Sequence, residues 1–149
     1  MNRLQTALLV NAIFSSLSGI ALIIGNRQIA QLFGTTNNTI FWVVGCVLIF
    51  FATTIVYEIC EQRSWAVLWI IIQDALWVIG SVVLLTWNPF GTSQNGLAVI
   101  GFVALIVIFM AINQLRALNK QISIIRKKRY TRVSNIFSWH WIKKSDLED

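Results

Sequence analysis

Apolar residues fall in four long blocks separated by short polar or glycine-rich breaks, at residues 4–25, 39–57, 65–87 and 96–115. Each block has about 19 to 23 residues, and a helix needs about 20 to cross ~30 Å of hydrocarbon. A membrane β-barrel would show segments of ~10 residues with alternating polarity, and the chain lacks that alternation. The pattern predicts an all-α, polytopic membrane protein. Its architecture is expected to be a four-transmembrane-helix bundle with a basic C-terminal cytoplasmic helix. Residues 1–115 form the transmembrane domain in this reading, and residues 116–149 a basic amphipathic tail.

The breaks have their own chemistry. Asn88, Pro89, Phe90 and Gly91 end the third block: proline lacks a backbone donor and glycine accepts unusual backbone angles. Residues 34–38, GTTNN, form the loop before the second block. Ile29, Ala30, Leu32 and Phe33 suit a short interfacial turn of helix just ahead of it. The first block exceeds the 7–15 apolar residues of a secretory signal, so an uncleaved first span is expected.

Composition agrees. Hydrophobic residues make up 56% of the chain and charged residues 12%, against about 25% charged in a soluble domain. So little polar surface would not cover a core in water, but lipid does not require it. The charge is also asymmetric. With four spans, both termini and the middle loop share one side. That side carries Arg3, Arg63 and every basic residue from Arg116 onward, and the other side only Arg27. Basic residues are retained in the cytoplasm, so both termini are expected there. Trp42 and Trp87 then mark the outer interface, and Tyr57 and Trp65 the inner one.

One carboxylate, Asp74, lies near the middle of the third block. A charge there costs several kcal/mol on most estimates, so an intramembrane Asp is a functional-site candidate by default. Gln73 precedes it, and Trp77, Gly80 and Ser81 follow at helical spacing. On the first span Asn11, Ser15, Ser18 and Gly19 share one face. Asn11 lies roughly 10 Å and Asp74 roughly 13 Å along helices that start on the same side. Asp74 is therefore expected to point into the bundle, bonded by Asn11 or Ser15. The ligand- or proton-binding candidates are Asp74, Asn11, Ser15, Gln73 and Trp77. The competing reading is a carboxyl that only ties helices together. Small residues (Ala12 and Ser16, Ser15 and Gly19, Gly45, Gly80 and Ser81) predict close helix packing.

Other chemistry is sparse. Cys46 and Cys60 would be about 21 Å apart on a helix, too far for a disulfide. The single histidine, His140, lies in the tail between Trp139 and Trp141. No metal or cofactor is expected. There is no phosphate loop, no GxSxG and no pair of carboxylates at catalytic spacing, so no catalytic residues are expected. Glu58 and Glu61 flank the end of the second span and read as a solvated face.

In the tail, Leu115, Leu118, Ile122 and Ile125 make an apolar stripe among Arg116, Lys120, Arg126, Lys127, Lys128 and Arg129. Residues 116–132 should continue the fourth helix. The juxtamembrane position points to anionic lipid headgroups rather than nucleic acid. Arg126, Lys127, Lys128, Arg129, Trp139 and Trp141 are the lipid-binding candidates, with Phe137, Trp139 and Trp141 folding back to the interface.

The residues Asn11, Ala12, Phe14, Ser15, Ser18 and Gly19, with Asp74, Ala75, Trp77, Val78, Gly80 and Ser81, resemble the pattern of small, largely uncharacterised four-helix integral membrane proteins of bacteria. The resemblance covers residues 4–119 and implies a four-span bundle in the bacterial cytoplasmic (inner) membrane, with no activity attached. In size and span count the chain is also similar to small multidrug-resistance exporters. Those carry a glutamate in the first helix, where this chain has Asn11. The function expected is that of a non-enzymatic accessory or assembly component, packing as a homo-oligomer or with a membrane-protein partner. The alternative is a small oligomeric transporter or channel using Asp74 for a proton, ion or ligand.

Overall fold

The computed structural model describes residues 2–61 and 63–145, with residues 130–145 described as backbone alone. The described residues form five helices and no strand: α1 (Arg3–Ile24), α2 (Asn26–Leu32), α3 (Thr39–Glu61), α4 (Ser64–Trp87) and α5 (Gln94–Ser145). Segments of α1, α3, α4 and α5 are long and apolar enough to cross a membrane. The short helix expected ahead of the second span is α2.

Each boundary has a local cause. Asn2 caps α1 by accepting from the Gln5 amide at 2.8 Å, while the Gln5 side chain accepts from the Asn2 amide at 2.9 Å. This reciprocal pair satisfies two donors that the first helical turn leaves open. α4 ends where Asn88 takes a left-handed conformation (φ 38°). Its side chain accepts from the Thr92 amide at 2.6 Å and donates to the Thr92 carbonyl at 3.0 Å, closing the turn. Ser93 then joins this turn to the end of α2: its amide donates to the Phe33 carbonyl at 3.0 Å, and its hydroxyl to the Leu32 carbonyl.

α1 and α3 pack antiparallel. Near one end Gln5 donates to the Ile59 carbonyl at 3.2 Å, and towards the other Gly19 meets Gly45. A Cβ on Gly19 would lie 2.9 Å from the Gly45 carbonyl oxygen, and one on Gly45 only 2.8 Å from that of Gly19. The two backbones are in direct contact, as the small residues there predict, and lipid-immersed helices gain their attraction from such close approach. Gly80 differs from expectation. Nothing lies within 4 Å of a Cβ built there, so among the described residues no helix packs against it.

α4 and α5 also run antiparallel, with Gly101 beside Leu85 and Gln114 bonded to Asp74. Leu4, Leu8 and Ala12 of α1 meet Phe51 and Ile55 of α3, Val67, Ile70 and Ile71 of α4, and Leu118 of α5 in one buried cluster. The cluster occupies the half of the molecule that holds the α1 N-terminus and the α3–α4 junction. The buried stripe of α4, Val67, Ile70, Ile71 and Asp74, stops at Asp74. No residue from 75 to 87 is buried.

At the α3–α4 junction the expected solvated face is corrected. Glu61 is exposed, but Glu58 is buried at 4% exposure and paired with Arg63. Arg63 reaches back across the junction, so the carboxylate is covered by the turn its partner closes. The hydrogen bond and charge of Glu58 hold the Arg63 guanidinium above its ordinary pKa. Arg63 also lies 5.4 Å over the Tyr57 ring.

α5 is unbroken from Gln94 to Ser145, so the helix of the fourth apolar block continues through residues 116–132, as expected, and on to Ser145.

Candidate functional site

Four polar side chains, Asp74 among them, form one buried cluster from three helices. Asn11 and Ser15 come from α1, Asp74 from α4 and Gln114 from α5, and none is more than 5% exposed. Asn11 and Gln114 both donate to Oδ2 of Asp74, at 2.7 Å and 3.0 Å. Ser15 does not reach Asp74. Its hydroxyl donates to Oδ1 of Asn11 at 3.2 Å, which leaves the Asn11 amide group facing the carboxylate. The sequence expectation that Asn11 or Ser15 faces Asp74 resolves into a chain in which Ser15 orients Asn11 and Asn11 bonds Asp74.

The two amide donors can stabilise a carboxylate, because a buried acceptor needs hydrogen bonds to offset its desolvation. One group is left over: Oε1 of Gln114 is buried without a hydrogen-bond partner. Among the described residues no three His, Cys, Asp or Glu side chains come together. The arrangement can therefore tie three helices through one carboxyl, or hold a proton or a small donor beside it.

Gln73 and Trp77 stand apart from this cluster. Gln73 is half-buried, and no hydrogen bond joins it to Asp74. Trp77 follows Asp74 at helical spacing on α4 but is 39% exposed. Ser81 donates to the Trp77 carbonyl at 2.8 Å, a bond within the helix. Beyond Asp74 the helical stripe is covered less closely: Val78 and Ser81 are half-buried, and Leu85 lies beside Gly101 of α5. In α5, Arg126, Lys127, Lys128 and Arg129 are exposed. The side chains of Phe137, Trp139 and Trp141 lie outside the described residues.

Gln114 is the site residue that sequence reasoning missed. It sits beside the expected end of the fourth span, where a polar residue draws no attention. A signal existed: Met110, Gln114 and Leu118 are spaced by four, and all three are buried. A glutamine inside an apolar i, i+4, i+8 stripe needs a buried partner. Comparison with protein-family models, with curated proteins and with solved structures finds no match.

Proposed function

We propose that this chain is a non-enzymatic four-span protein of the bacterial cytoplasmic membrane, with both termini in the cytoplasm. Its role is that of an accessory or assembly component, packing as a bundle with a second copy or a membrane partner. The observation that carries the reading is the uncovered small residue Gly80 in the second half of α4. From Ala75 to Trp87 none of its residues is buried, and Trp77, Ile79, Val82 and Trp87 are exposed. Gly80 forms an open notch one turn from Trp77. A small residue beside a large one on an uncovered face suits a second helix, whose backbone could approach at Gly80. The indole N–H of Trp77, near mid-span, gains from a partner outside hydrocarbon. The Asp74 cluster supports the same reading by holding α1, α4 and α5 in register.

Purification of the full chain in mild detergent tests this. An oligomer, or a complex with a second membrane subunit, supports it; a monodisperse monomer with nothing attached contradicts it. Exposed Arg126, Lys127, Lys128 and Arg129 would attract anionic headgroups by about 1 kcal/mol each near the surface.

The partnerless Oε1 of Gln114 beside Asp74 favours a second reading, in which the site holds a proton or small cationic donor within an oligomeric transporter. Buried carboxylates in spans serve proton relays. Flux in liposomes decides it: Asp74→Asn abolishes proton-coupled flux in this reading, and equal flux removes Asp74 from the mechanism.

A further inference from the structure

A groove of about 480 Å³ runs between α1 and α5, and none of Asn11, Ser15, Asp74 and Gln114 lines it. Arg3, Arg116 and Lys120 line it, together with Thr6, Val10 and Phe109. The three cations are exposed. The described acidic residues are Glu58, Glu61 and Asp74, and none of them lines the groove. Glu58 is engaged by Arg63, and Asp74 by Asn11 and Gln114. No described carboxylate therefore lines the groove to pair with its three cations.

The charge is also graded along the groove. α1 and α5 are antiparallel: Asn11 and Gln114 meet on Asp74, while Leu4 and Leu8 share a cluster with Leu118. Arg3 and Lys120 thus lie at one end, with Arg116 one helical turn inward of Lys120. Val10, Phe109 and Met110 wall the other end. From Arg3 to Val10 is roughly 10 Å along α1. A cationic end about 10 Å from an apolar end matches a molecule with an anionic head and a hydrocarbon body. A soluble anion would leave the apolar wall uncovered, and a neutral lipid would leave the three cations uncompensated.

We infer that the α1–α5 groove is a binding site for an anionic phospholipid. Its phosphate lies among Arg3, Arg116 and Lys120, where arginine forks suit phosphate oxygens, and the upper part of an acyl chain lies along Val10 and Phe109. The site is separate from the exposed cations at residues 126–129. It depends on insertion of the chain in a bilayer and not on the assembly role, so an oligomeric state of either kind leaves it standing.

The test is a lipid titration of the detergent-solubilised full chain by native mass spectrometry, with phosphatidylglycerol and phosphatidylcholine as probes. The first phosphatidylglycerol should bind more tightly than the first phosphatidylcholine. Neutralising exposed cations, Arg116→Gln with Lys120→Gln, should weaken that first event by at least about fivefold, the factor expected for one cation near a lipid surface. Val10→Trp keeps every charge but fills the apolar end, and should also weaken it. Neutralising residues 126–129 to glutamine should leave the first event in place. Equal affinity for the two lipids overturns the inference. So does anionic preference that survives both groove changes, or that vanishes only when residues 126–129 are neutralised.

Discussion

Asn11 donates a 2.7 Å hydrogen bond to Asp74, joining two buried polar residues from helices α1 and α4 that are 63 positions apart in the chain. Gln114 brings α5 to the same carboxylate oxygen. Removing one donor leaves Asp74 with a single partner in a buried setting, so Asn11→Ala and Gln114→Ala should each cost about 1–2 kcal/mol, within the range for an unmade buried hydrogen bond. A double-mutant cycle on Asn11 and Asp74 should give a coupling of about 0.6–1.7 kcal/mol, as for interhelical bonds in membranes. Denaturant unfolding in detergent checks both. A coupling near zero would mean the bond does not hold the helices.

Ser15→Ala separates orientation from direct contact. The Ser15 hydroxyl touches Asn11 and not Asp74, so its loss should destabilise less than Asn11→Ala. Combined with Asn11→Ala it should add almost nothing. Full additivity of the two changes, read in the same unfolding experiment, would contradict the chain of bonds.

Two glycines should behave oppositely. Gly45→Ala places a methyl 2.8 Å from the Gly19 carbonyl and against Ile23, and overpacking of this kind costs about 1–3 kcal/mol. Gly80→Ala meets nothing in the chain and gains helix propensity, worth up to about 1 kcal/mol. Thermal stability of the two variants in detergent should therefore move in opposite directions. An unchanged or more stable Gly45→Ala would mean that the α1–α3 contact is not where the structure puts it, and a loss of stability in Gly80→Ala would mean that Gly80 is covered.

Much of this fold was legible in the sequence, for a physical reason. Lipid forces each span to satisfy its own backbone, so length and hydropathy alone mark the helices. The intrahelical spacing of Asn11, Ser15 and Gly19 also carried the packed face of α1, because that face is chemically distinct from the rest of the helix. That Trp77 and Gly80 are uncovered could not be read from the sequence, because apolar residues surround α4 on every side. In a bilayer an apolar side chain does not tell whether its neighbour is lipid or protein. Glu58 was read as solvated because its cover depends on Arg63 folding back across a turn, which no local pattern encodes. Gln114 was overlooked because it sits at the edge of its apolar block, where a polar residue suits the interface as well as a buried site.

The Glu58–Arg63 pair makes its own prediction. Arg63→Ala leaves a buried carboxylate without its cation, and should destabilise more than the double change Glu58→Ala with Arg63→Ala, since a stranded charge costs more than the loss of the pair. The raised pKa of Arg63 means that the guanidinium's share of the stabilisation is present at neutral pH. It is lost only as pH rises through the strongly alkaline arginine range. Unfolding midpoints of the single and double variants, measured at neutral pH, check the order.

Exposed Cys60 and half-buried Cys46 lie on α3 without a disulfide. The proposed topology, with both termini in the cytoplasm, puts Cys60 near the inner surface. A Cys46→Ala background isolates it for a membrane-impermeant thiol reagent. Labelling should occur in inverted vesicles and be blocked in intact cells. The reverse pattern would turn the proposed topology over.

The most direct test of the assembly reading is the mass of the full chain in mild detergent, taken by light scattering on a size-exclusion column and compared with Gly80→Leu. The account predicts a protein mass at a multiple of 16.9 kDa, or a co-eluting membrane subunit, and a shift towards the single chain when Leu fills the Gly80 notch. A sharp, homogeneous peak at 16.9 kDa for the wild-type chain, with no second subunit, would contradict it.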